Sequence, residues 1–541
     1  VTEQPQAQRS LAKIAGIVAI ATLISKLFGL VRQQAIAAAF GVGPAFEAYN
    51  FAYVVPGFLL ILLGGINGPF HSAMVSVLAK RDQREAAPLV ESITTLVSGV
   101  LLGVTVFVIV FAGPLIELVA PGLGQTAAGL EIRAIAVRQL QLMAPMALFA
   151  GLIGIGFGTL NASDQYWLPS ISPLFSSLTV ILGLLVLALN LGQDIAAPEY
   201  ALLGGIVLAA GTLIGAIVQW LVQVVAQWRS GMGSLRLRFD FRQAGVQEVL
   251  KIMGPATFAS GMMQINVYTD LFFASFIPPA ASALGYAGLL VQTPLGILSN
   301  MILVPLLPVF SRLTDPEDWP ELKDRIRQGL MLTALSMLPL GALMVVLADP
   351  IVRVVYERGA FQSEASQLVA SVLVAYGVGM FVYLGRDVLV RVFYALGDAQ
   401  TPFRISVFNI FLNALLDYLL IGPFGAPGLV LATVGVNILS LLMFLWLLDR
   451  RLQGLPLRQW AMPIAALILF STLAGVGSWG LYVGLAQLTP TAGLLVQLGR
   501  LSLAGLAGLG IFALLASCLK LPETELLVAR IRQRFQRSRI V

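Results

Sequence analysis

About fourteen apolar stretches, each roughly twenty residues long and separated by short polar connections, decide what this chain can fold into. A run of that length is what one helix needs to cross a hydrocarbon layer, and in lipid only helices or closed barrels satisfy their own backbone. Composition agrees: 58% of the residues are hydrophobic, 11% are charged and the mean hydropathy is +0.89, which excludes an ordinary soluble domain. The chain is read as an all-α polytopic membrane protein. Its one cysteine, Cys518, and one histidine, His71, leave no disulfide framework and no metal site of the cysteine or histidine kind. A pI near 9.5 invites a nucleic-acid reading, but the cations sit in short connections without a binding motif, so no nucleic-acid partner is expected.

Those cations orient the spans. They gather at Lys80, Arg81 and Arg84, at Arg229, Arg236, Arg238 and Arg242, at Arg312, Lys323, Arg325 and Arg327, at Arg450, Arg451 and Arg458, and in the tail from Lys520 to Arg539. Every cluster follows an even-numbered span, although Arg353 and Arg358 run against the trend. The positive-inside rule predicts both termini in the cytoplasm. Connections on the other side are too short to hold a catalytic domain. The first run is expected to be a retained span, because Lys26 interrupts it and no soluble domain follows.

A weak internal echo suggests two lobes. Leu160 to Asp164, with Pro169 beyond, resembles Leu396 to Ala399 with Pro402 beyond, and Gly205 to Ala209 resembles Gly428 to Ala432. An offset of six spans predicts parallel repeats about an axis along the membrane normal. The expected organisation is a lobe over residues 1–235, a second over 236–455, and two extra spans with a basic tail over 456–541. A substrate cavity is expected between the lobes.

Lys26 and Arg32 lie inside the first span, where charge is expensive and usually faces a cavity. They are about 9 Å apart along a helix and point apart, which suits a broad anion-binding cavity; Ser25 shares a face with Arg32. Snorkelling of Arg32 to an interface, with Lys26 paired to an acid such as Glu47, is the bland reading. Glu47 opens the second span and is the natural partner of Arg32, as a static ion pair or as part of a gate. Gly64 to His71 predicts a loosened helix end or close packing. Asn266 and Asp270 share a face of the seventh span, Asn413 and Asp417 repeat that spacing in the eleventh, and Asp387 and Arg391 have the spacing of an ion pair. No Gly-Lys dipeptide occurs, hence no P-loop ATPase, and no constellation resembles an enzyme site or needs a cofactor.

Ser25-Lys26-Leu27-Phe28-Gly29-Leu30-Val31-Arg32, followed by Phe40-Gly41 and Glu47-Ala48-Tyr49, resembles the first-span signature of the MurJ (MviN) lipid II flippases, S-R-x-x-G-x-x-R with a downstream D-A-F. The likeness continues through Leu160-Asn161-Ala162, Asn266, Tyr286-Ala287, Pro305 and Pro308, Glu357 to Phe361, and Phe393 to Asp398 with Thr401-Pro402. It implies the multidrug/oligosaccharidyl-lipid/polysaccharide exporter fold, two pseudo-symmetric six-helix lobes plus two C-terminal helices around a central cavity. It also implies outward flipping of the undecaprenyl-diphosphate-linked peptidoglycan precursor across the bacterial cytoplasmic membrane, in the company of membrane lipids and of cell-wall synthesis or division proteins. Lys26 and Arg32 would bind the diphosphate, with Ser25, Asn266 and Gln292 as polar contacts and Glu47 and Asp270 as gating or ion-pairing acids. The sequence departs from the family where a cavity arginine is replaced near Leu60, and where Y-A-D-R-L-x-E-x-P becomes Tyr286 to Pro294 without its charges. The alternatives are another polyprenyl-diphosphate-linked glycan, a drug or ion antiporter on the same fold with Asp270 or Asp417 as coupling acid, and a non-transporting scaffold.

Overall fold

Lipid offers backbone groups no hydrogen bonds, so apolar segments must close their own as helices. In the computed structural model every regular element among the described residues is helical. The described residues are 4–64, 68–263, 265–489 and 493–523, with side chains at 4–15, 17, 83, 255, 258–263 and 265–267 excepted.

The chain divides into two units, residues 1–282 with 358–362, and residues 283–357 with 363–541. The first holds α1 (Gln4–Phe40), α2 (Pro44–Ala52), α3 (Val54–Gly64), α4 (Pro69–Leu78), α5 (Gln83–Val110), α6 (Ala112–Val119) and α7 (Ala127–Met143). It continues with α8 (Met146–Ala162), α9 (Trp167–Ile171), α10 (Leu174–Leu191), α11 (Ala201–Arg229), α12 (Ala244–Met263) and α13 (Ile265–Ala274). Helix α14 (Ala280–Phe310) begins in the first unit and runs on into the second. The second unit adds α15 (Trp319–Val346), α16 (Ala348–Tyr356), α17 (Ser363–Ala395), α18 (Gln400–Phe424), α19 (Ala426–Arg451), α20 (Leu457–Leu488) and α21 (Leu494–Ser517).

In the first unit α8 packs against α3, α4, α5 and α11, around a core that includes Phe70, Met74, Leu89, Ile93, Ile155 and Val246. In the second, α17 packs on α15 and α19, while α20 and α21 close over α15 through Leu467 and Phe512. Small residues set these distances, because between lipid-facing helices close packing replaces the hydrophobic drive. Gly341 of α15 and Gly377 of α17 illustrate this: a Cβ on Gly341 would stand 2.5 Å from the Gly377 carbonyl oxygen, and one on Gly377 2.9 Å from that of Gly341.

Eleven helical segments are long and apolar enough to span a bilayer, or twelve with α7 and α8 counted as one span bent by 44°. The expected count of fourteen is therefore not reached among the described residues. The shortfall falls on α1 and on the α12–α13 pair, the segments centred near positions 22 and 260. The loosened end expected from Gly64 to His71 is partly described: α3 stops at Gly64, α4 starts at Pro69, and residues 65–67 lie outside the described set. His71 meets the Asn161 side chain of α8 at 2.7 Å.

Candidate functional site

Helix α1 presents its two cations differently. Lys26 is exposed, whereas Arg32 is half-buried, and its Nε is enclosed without a hydrogen-bond partner. Ser25, seven positions before Arg32, is half-buried too. The charge of Arg32 acts on two phenols of the segment that follows, Tyr49 and Tyr53, whose rings stack with centroids 5.4 Å apart. The Tyr49 hydroxyl is fixed in turn by Thr212 of α11 at 2.9 Å. Thus a guanidinium lies beside an aromatic, hydroxyl-bearing wall within the first unit.

Glu47 does not complete an ion pair with Arg32, which corrects the expected static pairing. Its buried carboxylate accepts from the backbone N–H groups of Ala281 at 3.1 Å and Ser282 at 2.7 Å, and from the Ser282 hydroxyl. It caps the first turn of α14, where unpaired N–H groups and the positive end of the helix dipole favour an anion. Asn50, one turn after Glu47, reaches the same Ser282 hydroxyl at 3.5 Å. The carboxylate is thus held at the start of α14, and no acid pairs with Arg32 among the described residues.

The other expected site residues scatter. Asn266 lies in α13, but its side chain is outside the described residues. Asp270, one turn on in the same helix, is half-buried and engaged with a neighbour. Gln292 is exposed on the part of α14 that belongs to the second unit. Lys26, Arg32, Ser25, Glu47 and Asp270 therefore share one unit, and Gln292 does not.

Two further expectations resolve. Asn413 donates to the Asp417 carboxylate at 3.0 Å within α18, both side chains buried, and Thr433 of α19 contacts the Asn413 carbonyl at 3.4 Å. The acid at 387 contacts its neighbour Arg386 at 3.6 Å rather than Arg391, so the expected spacing does not decide the pairing. An apolar cavity of about 690 Å³ in the first unit is lined by residues including Ala35, Ala38, Leu184, Ala188 and Ala360. No charged side chain lines it; its polar side chains are Gln193 and Gln362.

The partners of Glu47 and Tyr49 escaped sequence reasoning. A legible signal was the helix start at Ala280-Ala281-Ser282, since such a start needs acceptors. That Glu47 would supply one across more than two hundred residues could not be seen locally.

Residues 36–496 match the family model described as lipid II flippase MurJ. A relative described as a probable lipid II flippase MurJ, from Synechocystis sp., is 60% identical over 98% of this chain and 99% of its own length. Among solved structures, a lipid II flippase MurJ in an inward closed conformation superposes with a TM-score of 0.71 at 23% identity, covering 93% of this chain and 98% of that one. An inward-facing multidrug resistance MATE transporter of the MOP superfamily superposes at 0.57 and 16% identity, over 83% and 98% of the two chains. The likeness to both solved structures is one of fold. By the extent of the family match and the identity of the relative, the chain belongs to the lipid II flippase MurJ family.

Proposed function

We propose that this chain, a multi-pass membrane transporter and not an enzyme, flips lipid II from the inner to the outer leaflet of the bacterial inner membrane, and that Arg32 and Lys26 engage its diphosphate. The observation that carries the site is the half-buried Arg32 guanidinium, which has no acidic partner among the described residues while the acid expected to pair with it, Glu47, is spent on a helix cap. A cation held within an apolar span without a counter-ion is stabilised by an anionic cargo. Ser25, on the same face, and the stacked Tyr49 and Tyr53 supply hydroxyls for phosphate and sugar. Asn266 and Gln292 are proposed as further substrate contacts, and Asp270 as a gating or ion-pairing acid. The lobes proposed are residues 1–235 and 236–455, with 456–541 appended and both termini cytoplasmic. Cell-wall synthesis or division proteins are its proposed company.

The test is rescue of cells depleted of their own lipid II flippase. Arg32→Ala should fail to rescue at parental protein levels, whereas Arg32→Lys should rescue in part, because a point charge attracts phosphate without the guanidinium fork. Normal rescue by Arg32→Ala would reduce the residue to an interfacial anchor. A second reading, another polyprenyl-diphosphate-linked glycan, is favoured by Leu60, Gly288 and Leu289, which stand where the family carries charged cavity residues. Failure of the parent protein itself to rescue would select it.

A further inference from the structure

The connection after α11 is not a loose tether. Met232 is buried in the core cluster with Val90 and Val246. The Ser234 backbone N–H and hydroxyl both donate to the buried Glu91 carboxylate of α5, at 3.0 and 2.7 Å. The Arg238 backbone N–H donates to Thr95 at 3.0 Å, and its guanidinium lies 3.7 Å from Glu91. These contacts, with Gly233 packed against Ala87 and Val90, fix the strip along α5 from Met232 to Arg238. Beyond Ser234 the strip stands outward: Leu235, Leu237 and Phe239 are 61%, 78% and 72% exposed, and Arg236, Arg238 and Asp240 between them are exposed as well.

The height of the strip is set by α5. The apolar segment Arg84–Val110 has 27 residues, about 40 Å of helix against a hydrocarbon core of about 30 Å. With Val110 at the far edge, roughly the first 10 Å of α5 lies among headgroups, which puts Glu91 at the boundary and Thr95 just inside it. The apolar side chains of the strip therefore stand at the level where acyl chains begin. Arg236 and Arg242 are exposed beside them, opposed only by Asp240 in the strip itself. Apolar residues interleaved with cations at this depth are the chemistry of an anionic bilayer surface, where phosphate takes the guanidinium and the acyl boundary takes the side chain between.

We infer that residues 235–242 form a built-in interface strip that binds the anionic lipid surface on the face of the membrane carrying the basic clusters. Leu235, Leu237 and Phe239 insert at the acyl boundary, and Arg236 and Arg242 hold lipid phosphate. The inference rests on the chain spanning a bilayer and is independent of its cargo.

The test uses the full chain with Cys518→Ser, so that single cysteines introduced by Leu237→Cys, Phe239→Cys or Arg236→Cys can carry an environment-sensitive fluorophore in nanodiscs. Labels at 237 and 239 should be quenched by lipid spin-labelled on the acyl chain just below the headgroup, and a label at 236 by lipid spin-labelled on the headgroup. Quenching should be about twofold greater in phosphatidylglycerol discs than in phosphatidylcholine discs. Combining Arg236→Gln with Arg242→Gln should abolish that preference while leaving the acyl-level quenching of labels at 237 and 239. Free quenching of 237 and 239 by aqueous iodide, without quenching by spin-labelled lipid, overturns the inference. So does protection from iodide without lipid quenching, which would mean that a protein surface covers the strip.

Discussion

Glu47→Gln should lower thermal stability by about 1 to 2 kcal/mol, because an amide keeps one good acceptor for the Ala281 and Ser282 N–H groups but surrenders the charge that complements the start of α14. Glu47→Ala should cost more, since both donors then lose their acceptor in a buried site. Unfolding of the purified variants in detergent measures this, and unchanged melting with slowed transport would instead make Glu47 a residue of the cycle. Arg32 is predicted to behave oppositely, losing function with little loss of stability. This division between an acid that caps a helix and a cation proposed to meet the cargo was half legible. Both charges announced themselves by lying in apolar sequence. Their pairing did not, because a helix cap formed across more than two hundred residues leaves no periodicity to read.

At the scale of elements, α15 and α17 test how far glycine sets helix contact. Gly341→Ala would bring a methyl against the Gly377 carbonyl, and it should destabilise by about 1 to 3 kcal/mol through overpacking. Melting at the parental temperature would show that the two helices can part without cost. The turn between α17 and α18 gives a pH-dependent counterpart. Burial works to raise the Asp398 carboxyl, but the Thr401 N–H and hydroxyl, together with Arg451, outweigh it and hold the group below its ordinary range. A depressed value means that the stabilisation is present above the unfolded-state value and is lost as pH falls through the folded one, so this clamp should weaken below about pH 4. Comparing melting between pH 5 and pH 3 should show a loss in the parent that is diminished in Asp398→Asn. The apolar runs were readable because desolvation of a helix needs a fixed length. Their breaks were less so: the bend between α7 and α8 falls at Ala144-Pro145, an interruption that hydropathy alone passes over.

For the whole molecule, the distribution of cations carries a prediction that composition alone does not. Single cysteines placed at Arg84, Arg327 and Arg451 should be labelled only from the cytoplasmic side, and one at Gln193 only from outside, using impermeant reagents on intact cells. Labelling of two of the first three from outside would invert the frame. Fold class was legible because a chain this apolar has few ways to satisfy its backbone in lipid. The division into units was not, because residues 358–362 group with the first unit although their neighbours on both sides belong to the second.

That short segment has a practical meaning. The Ala360 N–H donates to the carbonyl of Ala38 at 2.9 Å, and Gly359, with φ near +57°, passes directly over the same residue. Only glycine turns that way without strain and leaves room for the approach. A gene cut into two contiguous pieces between the units would hand this stitch to the wrong fragment. A two-piece version that keeps its first unit whole must therefore carry residues 358–362 as an added tail on the first piece.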